Sequence, residues 1–600
     1  MHTPRPLAAL ALSLMLTSCV GAQPPASSAP APGSSAEFLS ASIESRPSEM
    51  AEAIGQFQAD WGALSRTYRV DTSPRRRERL GALCDSWLTQ LGALQTGGFS
   101  KAGRADAFLF VNYLQRQRRL LEREQARYAA IEPRLPFARM IDDLEESRRR
   151  GDAVDGERAA AALDEVRQSV DKAKAAFEAD CKDQPDGTPR KVTPTVAKQV
   201  LRVVESLQWD LAEWHGFYDS YDPQFSWWTR RPFDGASDAL RGMATLVREK
   251  GVGVTADNPN VIVGTPIGRD ELTEELRFAM IPYTPEELLD IAQRQADWCH
   301  QELRKASADM GLGDDWKAAI ERVKLAHGAP GDQPALIRRL ADEAVRFVRE
   351  KDLITVPALA EETWRMDMMS PDRQLVTPFF TGGEVISVAF PTEGMEHQQK
   401  VMSLKSNNQY FARATVFHEL MPGHHLQQYM QSRWRTYRDP FSTPFWTEGW
   451  ALYWEMLLWD QGFPRTPEER VGMLFWRMHR CARIVFSLRF HLGEWTPQQC
   501  VDYLVSEVGH EKSGAEGEVR RSVSGDYEPL YQAAYMLGGL QLRALHAELV
   551  DRGTWTNRRF HDAVMHENNI PIEAVRAILT GQDFGPGYQT SWRFDGENRP

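Results

Sequence analysis

The chain has 600 residues, of which 42% are hydrophobic and 26% charged, and its formal net charge at pH 7 is −12. This hydrophobic content is that of a globular protein, so neither a disordered nor a fibrous chain is expected. The excess of acidic residues repels phosphate backbones, and nucleic acid is therefore not expected as a partner.

The N-terminus has the pattern of a secretory signal. Arg5 precedes an apolar stretch from Leu7 to Leu16, and two small residues lead to Cys19. This ending resembles the bacterial lipobox, which implies a signal peptide over residues 1–18 and lipidation of Cys19. An ordinary signal peptide with a chance cysteine is the alternative. The lipobox resemblance, with Val20 after the cysteine, implies a cell-envelope protein anchored to the outer membrane and facing the periplasm or the surface.

The segment behind Cys19 differs in composition from the rest of the chain. Residues 19–40 are rich in Ala, Pro and Ser, which predicts a flexible tether. No later run of 18 apolar residues occurs, so the lipid anchor is the only membrane attachment predicted. The remaining cysteines form no C-x-x-C pair and are predicted to be buried small hydrophobic residues. They are Cys84, Cys181, Cys299, Cys481 and Cys500.

The body has mainly helical periodicity, with apolar residues three and four apart. Helical stretches are predicted near residues 50–68, 76–97, 103–128, 156–180 and 285–310. Two strands are predicted around the Gly382-Gly383 turn, over residues 373–381 and 384–390. The expected fold is predominantly α, a two-lobed helical body with a small β-sheet. We place an N-terminal helical region at 41–350 and a catalytic region at 351–600.

The most informative segment contains three histidines beside a carboxylate. A zinc-binding helix usually carries histidines four residues apart, but the residue four after His418 is Pro422. His424 and His425 follow at six and seven residues, and neither suits an ideal helix. A widened turn at the proline could bring His424 back to a metal ion. A helix break with surface histidines is the alternative.

Two later carboxylates add weight to the metal interpretation. Glu448 follows His424 by 24 residues, and a glutamate on a following helix is the usual third ligand in His-His-Glu sites. Glu455 lies seven residues further on the same helical face and could orient a ligating imidazole. The surrounding sequence is apolar and rich in Trp, where an unpaired carboxylate would be costly to bury.

His418-Glu-Leu-Met-Pro-Gly-His424, followed by Glu448-Gly-Trp-Ala-Leu-Tyr453, resembles the bacterial family known as domain of unknown function 885. The likeness extends over roughly residues 40 to 590, and the family is grouped with the gluzincin type of zinc metallopeptidases. The resemblance implies a zinc-metallopeptidase-like helical fold that binds one zinc ion through His418, His424 and Glu448. It implies Glu419 as the general base, with His425 as an alternative ligand.

Two further segments resemble the family less closely. Tyr535, in Gln532-Ala-Ala-Tyr535-Met-Leu-Gly538, would donate its hydroxyl to an oxyanion; its alternative role is helix packing. His491 lies in a segment where Ser487 and Arg489 replace the family's Asp and Gly, and residues 520–522 lack an expected aromatic. How the substrate is held therefore stays open.

The sequence thus predicts a zinc-dependent hydrolase that cleaves peptides. Glu419 would take a proton from the attacking water and pass it to the leaving amine. Tyr535 or His491 would stabilise the oxyanion, and residues 385–390 could hold a peptide as an edge strand does. Arg520, Arg521 and Arg543 could receive a terminal carboxylate, although such arginines are more often solvated partners of Glu.

Two other functions fit the same sequence. One is a lipoprotein whose metallopeptidase fold serves as a non-catalytic binding or assembly module. The other is a zinc amidohydrolase acting on a non-peptide or cyclic peptide amide. The action on peptide ends or interiors and the oligomeric state stay open.

Overall fold

The computed structural model describes residues 47–597 apart from 183–189, 375–378, 526 and 586. The predicted signal peptide, Cys19 and the tether lie outside the described residues. Within them the fold is predominantly helical with one two-stranded sheet, as predicted.

The first half is mainly helical, and five of its helices match the five predicted stretches. They are α1 (Ala51–Thr67), α2 (Pro74–Gly92), α3 (Lys101–Ile131), α4 (Ala138–Arg150), α5 (Gly156–Asp180), α6 (Pro194–Tyr218), α7 (Pro223–Leu246), α8 (Arg269–Phe278), α9 (Pro285–Asp309), α10 (Trp316–Lys324) and α11 (Gln333–Glu350). The helical predictions for this half are therefore confirmed.

The second half contains the sheet and the remaining helices. In chain order these are α12 (Ala358–Thr363), β1 (Arg365–Met368), α13 (Pro371–Gln374), β2 (Val385–Val388), α14 (His397–Ser406), α15 (Gln409–Glu419), α16 (His424–Gln431), α17 (Pro444–Asp460), α18 (Pro467–His491), α19 (Pro497–Tyr503), α20 (Lys512–Val523), α21 (Tyr531–His546), α22 (Asn557–His566) and α23 (Ile572–Thr580). Short 3-10 turns occur at Glu132–Arg134, Thr436–Phe441 and Asp595–Glu597, and π-helical turns at Val247–Val252, Leu504–Val508 and Ala547–Asp551.

Many of these helices begin in the same way, with a proline in the first turn and a hydroxyl or carboxylate residue before it. The side chain of the preceding residue accepts a hydrogen bond from a backbone N–H of the first turn, and proline has no N–H to leave unpaired there. Such caps are Ser73, Thr193, Asp222, Thr284, Thr443, Thr466 and Thr496.

The sheet differs from the predicted hairpin. β2 pairs in parallel with β1, so that Arg365 faces Val385 and Met368 faces Val388. Residues 371–374 are helical, and residues 375–378 lie outside the described residues. The β-branched residues of Val385–Val388 favour a strand, but they carry no information about the partner strand. The second predicted strand is therefore confirmed, and one antiparallel bridge joins Thr381 to Ser387 across the Gly-Gly turn. The prediction was wrong for residues 373–374, which are helical.

The buried hydrophobic residues form two large clusters and one small one. The first unites α1 to α3 with the helices from α8 onward, and Phe110 packs against Phe441 across it. The second lies among α4 to α7. The predicted division at residue 350 stays a prediction, and the hydrophobic clusters divide the chain elsewhere. The third cluster packs β2 against α15.

Two elements of the first cluster bring the later site together. Helix α18 is buried from Val471 to Leu488. Helices α17 and α21 touch backbone to backbone, because a Cβ on Gly449 would lie only 2.6 Å from the carbonyl carbon of Gly538. This close approach requires glycine at the contact and places Glu448 opposite the first turns of α21.

Two sequence predictions about the body can be compared with the structure. In the part of the chain that the structure describes, no helix is long and apolar enough to cross a membrane. All five cysteines there are free, four of them buried and Cys181 partly exposed.

Candidate metal centre

The first two residues of the centre lie at the end of α15. His418 and Glu419 occupy its last turn, and the backbone then leaves the helix at Leu420, with φ −107° and ψ −103°. Helix α16 begins anew at His424. Pro422 lacks the N–H that a continuing helix would need. The expected widened turn was therefore wrong, because the chain breaks into two helices instead.

The break between α15 and α16 is held by hydrogen bonds from both sides. The backbone N–H of Gly423 donates to the carbonyl of Phe417 at 3.0 Å. The indole N–H of Trp450, on α17, donates to the carbonyl of Pro422 at 2.9 Å. These bonds tie the break to the helix that carries Glu448.

The structure brings His418, His424 and Glu448 together, with one possible ligand atom from each within 4.8 Å of the others. The Nε2 atom of His424 lies 3.2 Å from Oε2 of Glu448, and Nε2 of His418 lies 4.0 Å from the same oxygen. All three side chains are buried. Three potential ligand atoms therefore converge on one point inside the protein.

The Nδ1 atoms of the His418 and His424 rings, which point away from Glu448, face hydrogen-bond acceptors. Nδ1 of His418 lies 2.7 Å from Oε1 of Glu455, and Nδ1 of His424 lies 3.1 Å from the amide oxygen of Gln427. The amide nitrogen of Gln427 donates to the carbonyl of Thr447 at 3.0 Å, which fixes the direction of its oxygen. Since both partners are acceptors, Nδ1 carries the hydrogen in each neutral ring, and the lone pair of Nε2 faces Glu448.

These residues fit a divalent cation. Oε2 of Glu448 is buried beside Nε2 of His424 and forms no well-directed hydrogen bond among the described residues. Such an atom calls for a positive charge, which either a protonated His424 or a metal ion supplies. Two imidazole nitrogens and one carboxylate oxygen form the donor set of catalytic zinc sites, in which a fourth position stays open. Zinc is therefore compatible with the chemistry of this cluster.

A proton competes with a metal ion for the same atoms. Burial opposes a charged His424, but Glu448 outweighs it and raises the pKa of His424 to about 9. Burial likewise opposes a charged Glu448, yet His424 holds the pKa of Glu448 well below its usual range. Burial lowers the pKa of His418, which is neutral. The two histidines are thus electrostatically different although both face Glu448.

Glu419 shares the cavity with the three residues. Burial raises the pKa of its carboxyl to about 7, and the positive charge of His424 opposes this rise only in part. The loop before β2 contacts Glu419, and the backbone N–H of Gly383 donates to the backbone carbonyl of Glu419 at 3.2 Å. A carboxyl group with this pKa can both accept and release a proton near neutral pH.

We call the cavity that contains these residues the metal cavity, and its volume is about 260 Å³. It is lined by Phe379, Phe380, Thr381, Gly382, Thr415, His418, Glu419, His424, Gln428, Thr447, Glu448, Trp476, Arg480, Arg483, Arg521, Tyr527, Tyr531 and Tyr535. Burial raises the pKa of Tyr535, so its hydroxyl keeps its proton and remains a donor. Its ring lies 6.3 Å from that of His418.

Other predicted residues lie elsewhere. Nε2 of His425 faces the carbonyl of Ala360 at 2.6 Å, and His425 does not line the metal cavity. His491 lines a different cavity with Arg123 and Arg127, and burial together with these arginines lowers its pKa to about 4. The structure therefore does not bring His491 to the cluster, because it lies at the far end of α18.

The expected edge strand is also placed differently. One side of β2 pairs with β1, and the backbone of Ser387 bonds Thr381 on the other side, at 2.8 and 3.1 Å. The segment from Phe379 to Gly382 therefore lies between β2 and the metal cavity. The backbone of Ser387 is therefore not free to pair with a peptide, and peptide binding by the rest of residues 385–390 stays a prediction.

Several residues of the cavity escaped the sequence analysis. The hydroxyl of Tyr531 donates to Oε1 of Glu448, and its only sequence signal is its position one helical turn before Tyr535. Nothing in the sequence separates Arg480 and Arg483 from Arg477 of the same helix. Gln427 follows His424 by three residues, the spacing of helix neighbours.

Comparisons with known proteins agree with the overall architecture. The model of a family described as "Bacterial protein of unknown function (DUF885)" matches residues 49–579. A candidate lipoprotein of unknown function from Shewanella oneidensis has a similar structure, with a TM-score of 0.64 and 16% identity, covering 91% of this chain and all of that one. A candidate lipoprotein from Colwellia psychrerythraea matches with a TM-score of 0.55 and 14% identity, covering 89% and 97% of the two chains. No curated protein gives a significant match.

Proposed function

This chain belongs to the DUF885 family of bacterial proteins, and from that premise and the geometry of the cluster we propose that it is a zinc-dependent peptidase of the gluzincin type. The observation that carries the proposal is the convergence of His418, His424 and Glu448 on one buried point beside Glu419. A structural ion pair would not need a second imidazole with its lone pair directed at the same oxygen.

The protein's own groups supply the remaining chemistry. His418, His424 and Glu448 would hold the zinc ion, which would supply a Lewis acid able to polarise a carbonyl and to lower the pKa of a water molecule. Glu419 takes a proton from the attacking water and returns it to the leaving amine. The hydroxyl of Tyr535 donates to the oxyanion that forms on the carbonyl.

Neighbouring residues hold this machinery in place. Glu455 fixes the ring of His418, Gln427 fixes that of His424, and Tyr531 holds the second oxygen of Glu448. Each of these contacts leaves the potential ligand atom turned toward the cluster. Fixed ligands lower the reorganisation needed when the metal binds and the reaction proceeds.

The location is also part of the proposal. Lipidation at Cys19 would anchor the protein to the outer membrane, facing the periplasm or the surface, where its peptide substrates would be found. The two structural neighbours support the lipid anchor alone, since both are candidate lipoproteins.

The experiment combines metal content with peptide hydrolysis. We expect one zinc per purified chain and hydrolysis of a short-peptide mixture that stops with chelator and returns with zinc. His424→Ala should lose both properties. His425→Asn is the matched control and should keep both, because His425 faces Ala360 outside the metal cavity. A chain with the site intact but no bound zinc would contradict the proposal, and zinc without hydrolysis of any amide would favour the non-catalytic module.

A further inference from the structure

Three guanidinium groups line the metal cavity beside the metal-binding cluster. Arg480 and Arg483 lie one turn apart on α18, and their side chains are only 6% and 2% exposed. Arg521, on α20, is 14% exposed. Of the arginines considered in the sequence, Arg521 reaches this cavity, whereas Arg520 and Arg543 do not line it.

The carboxylates around these arginines do not match them one to one. Glu518 accepts from Arg483 through one oxygen at 2.6 Å and pairs with Arg521 through the other at 2.6 Å. Two guanidinium groups therefore share one buried carboxylate. The nearest carboxylate oxygen to Arg480 is Oε1 of Glu455, at 3.6 Å. That oxygen already accepts a hydrogen bond from Nδ1 of His418. On this side of the metal cavity, three guanidinium groups therefore share two carboxylates.

The three arginine side chains also carry nitrogen atoms without a hydrogen-bond acceptor, as expected when the donors outnumber the acceptors. The Nε atoms of Arg480 and Arg521 and one terminal nitrogen of Arg483 are buried without a hydrogen-bond partner among the described residues. Burying unpaired donors is costly unless a ligand supplies acceptors nearby. The fork of a guanidinium group matches the two oxygens of a carboxylate.

The arginines lie close to the reacting centre. The guanidinium carbons of Arg483 and Arg480 lie 4.3 and 4.7 Å from the ring centre of Tyr535, whose ring in turn faces His418. One aromatic ring therefore separates them from a proposed metal ligand. Arg521 also lines an outer cavity together with Arg520, so it lies where the metal cavity meets the outer one.

We infer that Arg480, Arg483 and Arg521 form a carboxylate-binding subsite, so that the substrate is a short peptide with a free carboxylate next to the bond that is cleaved. Arg521, the most accessible of the three, contacts the carboxylate, and the other two supply the positive field. A cavity of about 260 Å³ lies at the small end of ligand sites, which fits about two residues. The cleavage step rests on the proposed function, whereas binding of the carboxylate does not.

The experiment uses the purified chain after chelator treatment, so that no metal ion can bind the carboxylate. Calorimetric titration compares N-acetyl-glycyl-alanine with its C-terminal amide, and N-acetyl-glycyl-glutamate α-amide tests a side-chain carboxylate. We expect a carboxylate-bearing probe to bind the wild type about ten- to a hundredfold more tightly than the neutral amide. The probe that gains this advantage shows whether the carboxylate is terminal or on a side chain.

The matched variants are Arg521→Gln and Arg520→Gln. Arg521→Gln should lose the preference for the carboxylate, whereas Arg520→Gln should keep it, because Arg520 donates to the carbonyl of Asn260 and lines only the outer cavity. Equal binding of acid and amide by the wild type would overturn the inference, as would an unchanged preference in folded Arg521→Gln. If that variant does not fold, the acid-to-amide ratio of the wild type decides alone.

The result is separable from the proposed function. A preference for the carboxylate in a chain that binds no zinc and hydrolyses nothing would support the subsite and contradict the peptidase. Zinc-dependent hydrolysis with equal affinity for acid and amide would support the peptidase and contradict the subsite.

Discussion

Oε1 of Glu455 lies 2.7 Å from Nδ1 of His418, across two helices that meet inside the protein. Glu455 is two helical turns after Glu448, so α17 supplies both a proposed metal ligand and the group that orients another. The pair is buried, and neither side chain can find a replacement partner in water. The orientation of the His418 ring therefore depends on how α15 and α17 pack against each other.

Replacing Glu455 by Gln should weaken zinc binding about ten- to a hundredfold. Glutamine can still accept from Nδ1, but it lacks the charge that makes the imidazole a better donor to the metal. Competition with a chromogenic chelator measures the affinity. Asp460→Asn is the control, since that carboxylate lies at the exposed end of the same helix and pairs with Arg543. An unchanged zinc affinity in Glu455→Gln would show that the charge of Glu455 does not strengthen His418 as a ligand.

Replacing Glu419 by Gln should lower hydrolysis about a hundred- to ten-thousandfold while the zinc content stays the same. The amide cannot accept the proton of the attacking water, but it has a similar shape and is not one of the three converging ligands. Initial rates on a zinc-dependent peptide substrate and metal analysis of the same sample test both parts. Full activity in this variant would show that another group is the base.

Replacing Gly382 by Ala should reduce the turnover number with little change in zinc content. A Cβ at this position would overlap the backbone and the carboxylate of Glu419, so the base or the loop must move. Overpacking of this kind costs about 1–3 kcal/mol. Gly394→Ala is the control, because no atom lies within 4 Å of the added carbon. Steady-state kinetics measures the turnover number of both variants. An equal loss in Gly394→Ala would show that the effect is not specific to the contact with Glu419.

Asp142, in the second hydrophobic cluster, should make stability depend on pH. Burial raises the pKa of its carboxyl to about 7 from the ordinary 3.8, although a hydrogen bond from Thr72 opposes the rise. The folded state therefore binds the proton more tightly than the unfolded state. Ionisation destabilises the fold as pH rises from about 4 to 7, by about 1.4 kcal/mol per unit, and the penalty is complete above the folded pKa.

Asp142→Asn should remove this dependence. Its apparent Tm should exceed that of the wild type by more at pH 7.5 than at pH 5, since asparagine carries no charge at either pH. Thermal unfolding followed by circular dichroism provides the measurement. Asp143→Asn is the control, because that side chain is exposed. Parallel Tm curves for the wild type and Asp142→Asn would contradict the assignment.

Much of the fold followed from local patterns. The caps and first-turn prolines, such as Thr443 with Pro444, mark helix starts because they satisfy backbone groups within a few residues. The pairing of β2 could not be predicted in this way, since its partner comes from a segment 20 residues upstream. Likewise, the break after Glu419 was visible as Pro422, but its shape depends on the contact with Trp450.

The sequence by itself determined which residues are candidates for the site, because metal ligation depends on residue type and on approximate spacing. The spacing left His424 and His425 open, and the resemblance to the family singled out His418, His424 and Glu448. Only the tertiary structure decided which other groups surround them. Tyr531 reaches Glu448 across 83 residues because two glycines let α17 and α21 touch. The arginines enter the cavity because α18 and α20 pack beside it, and no local pattern records that approach.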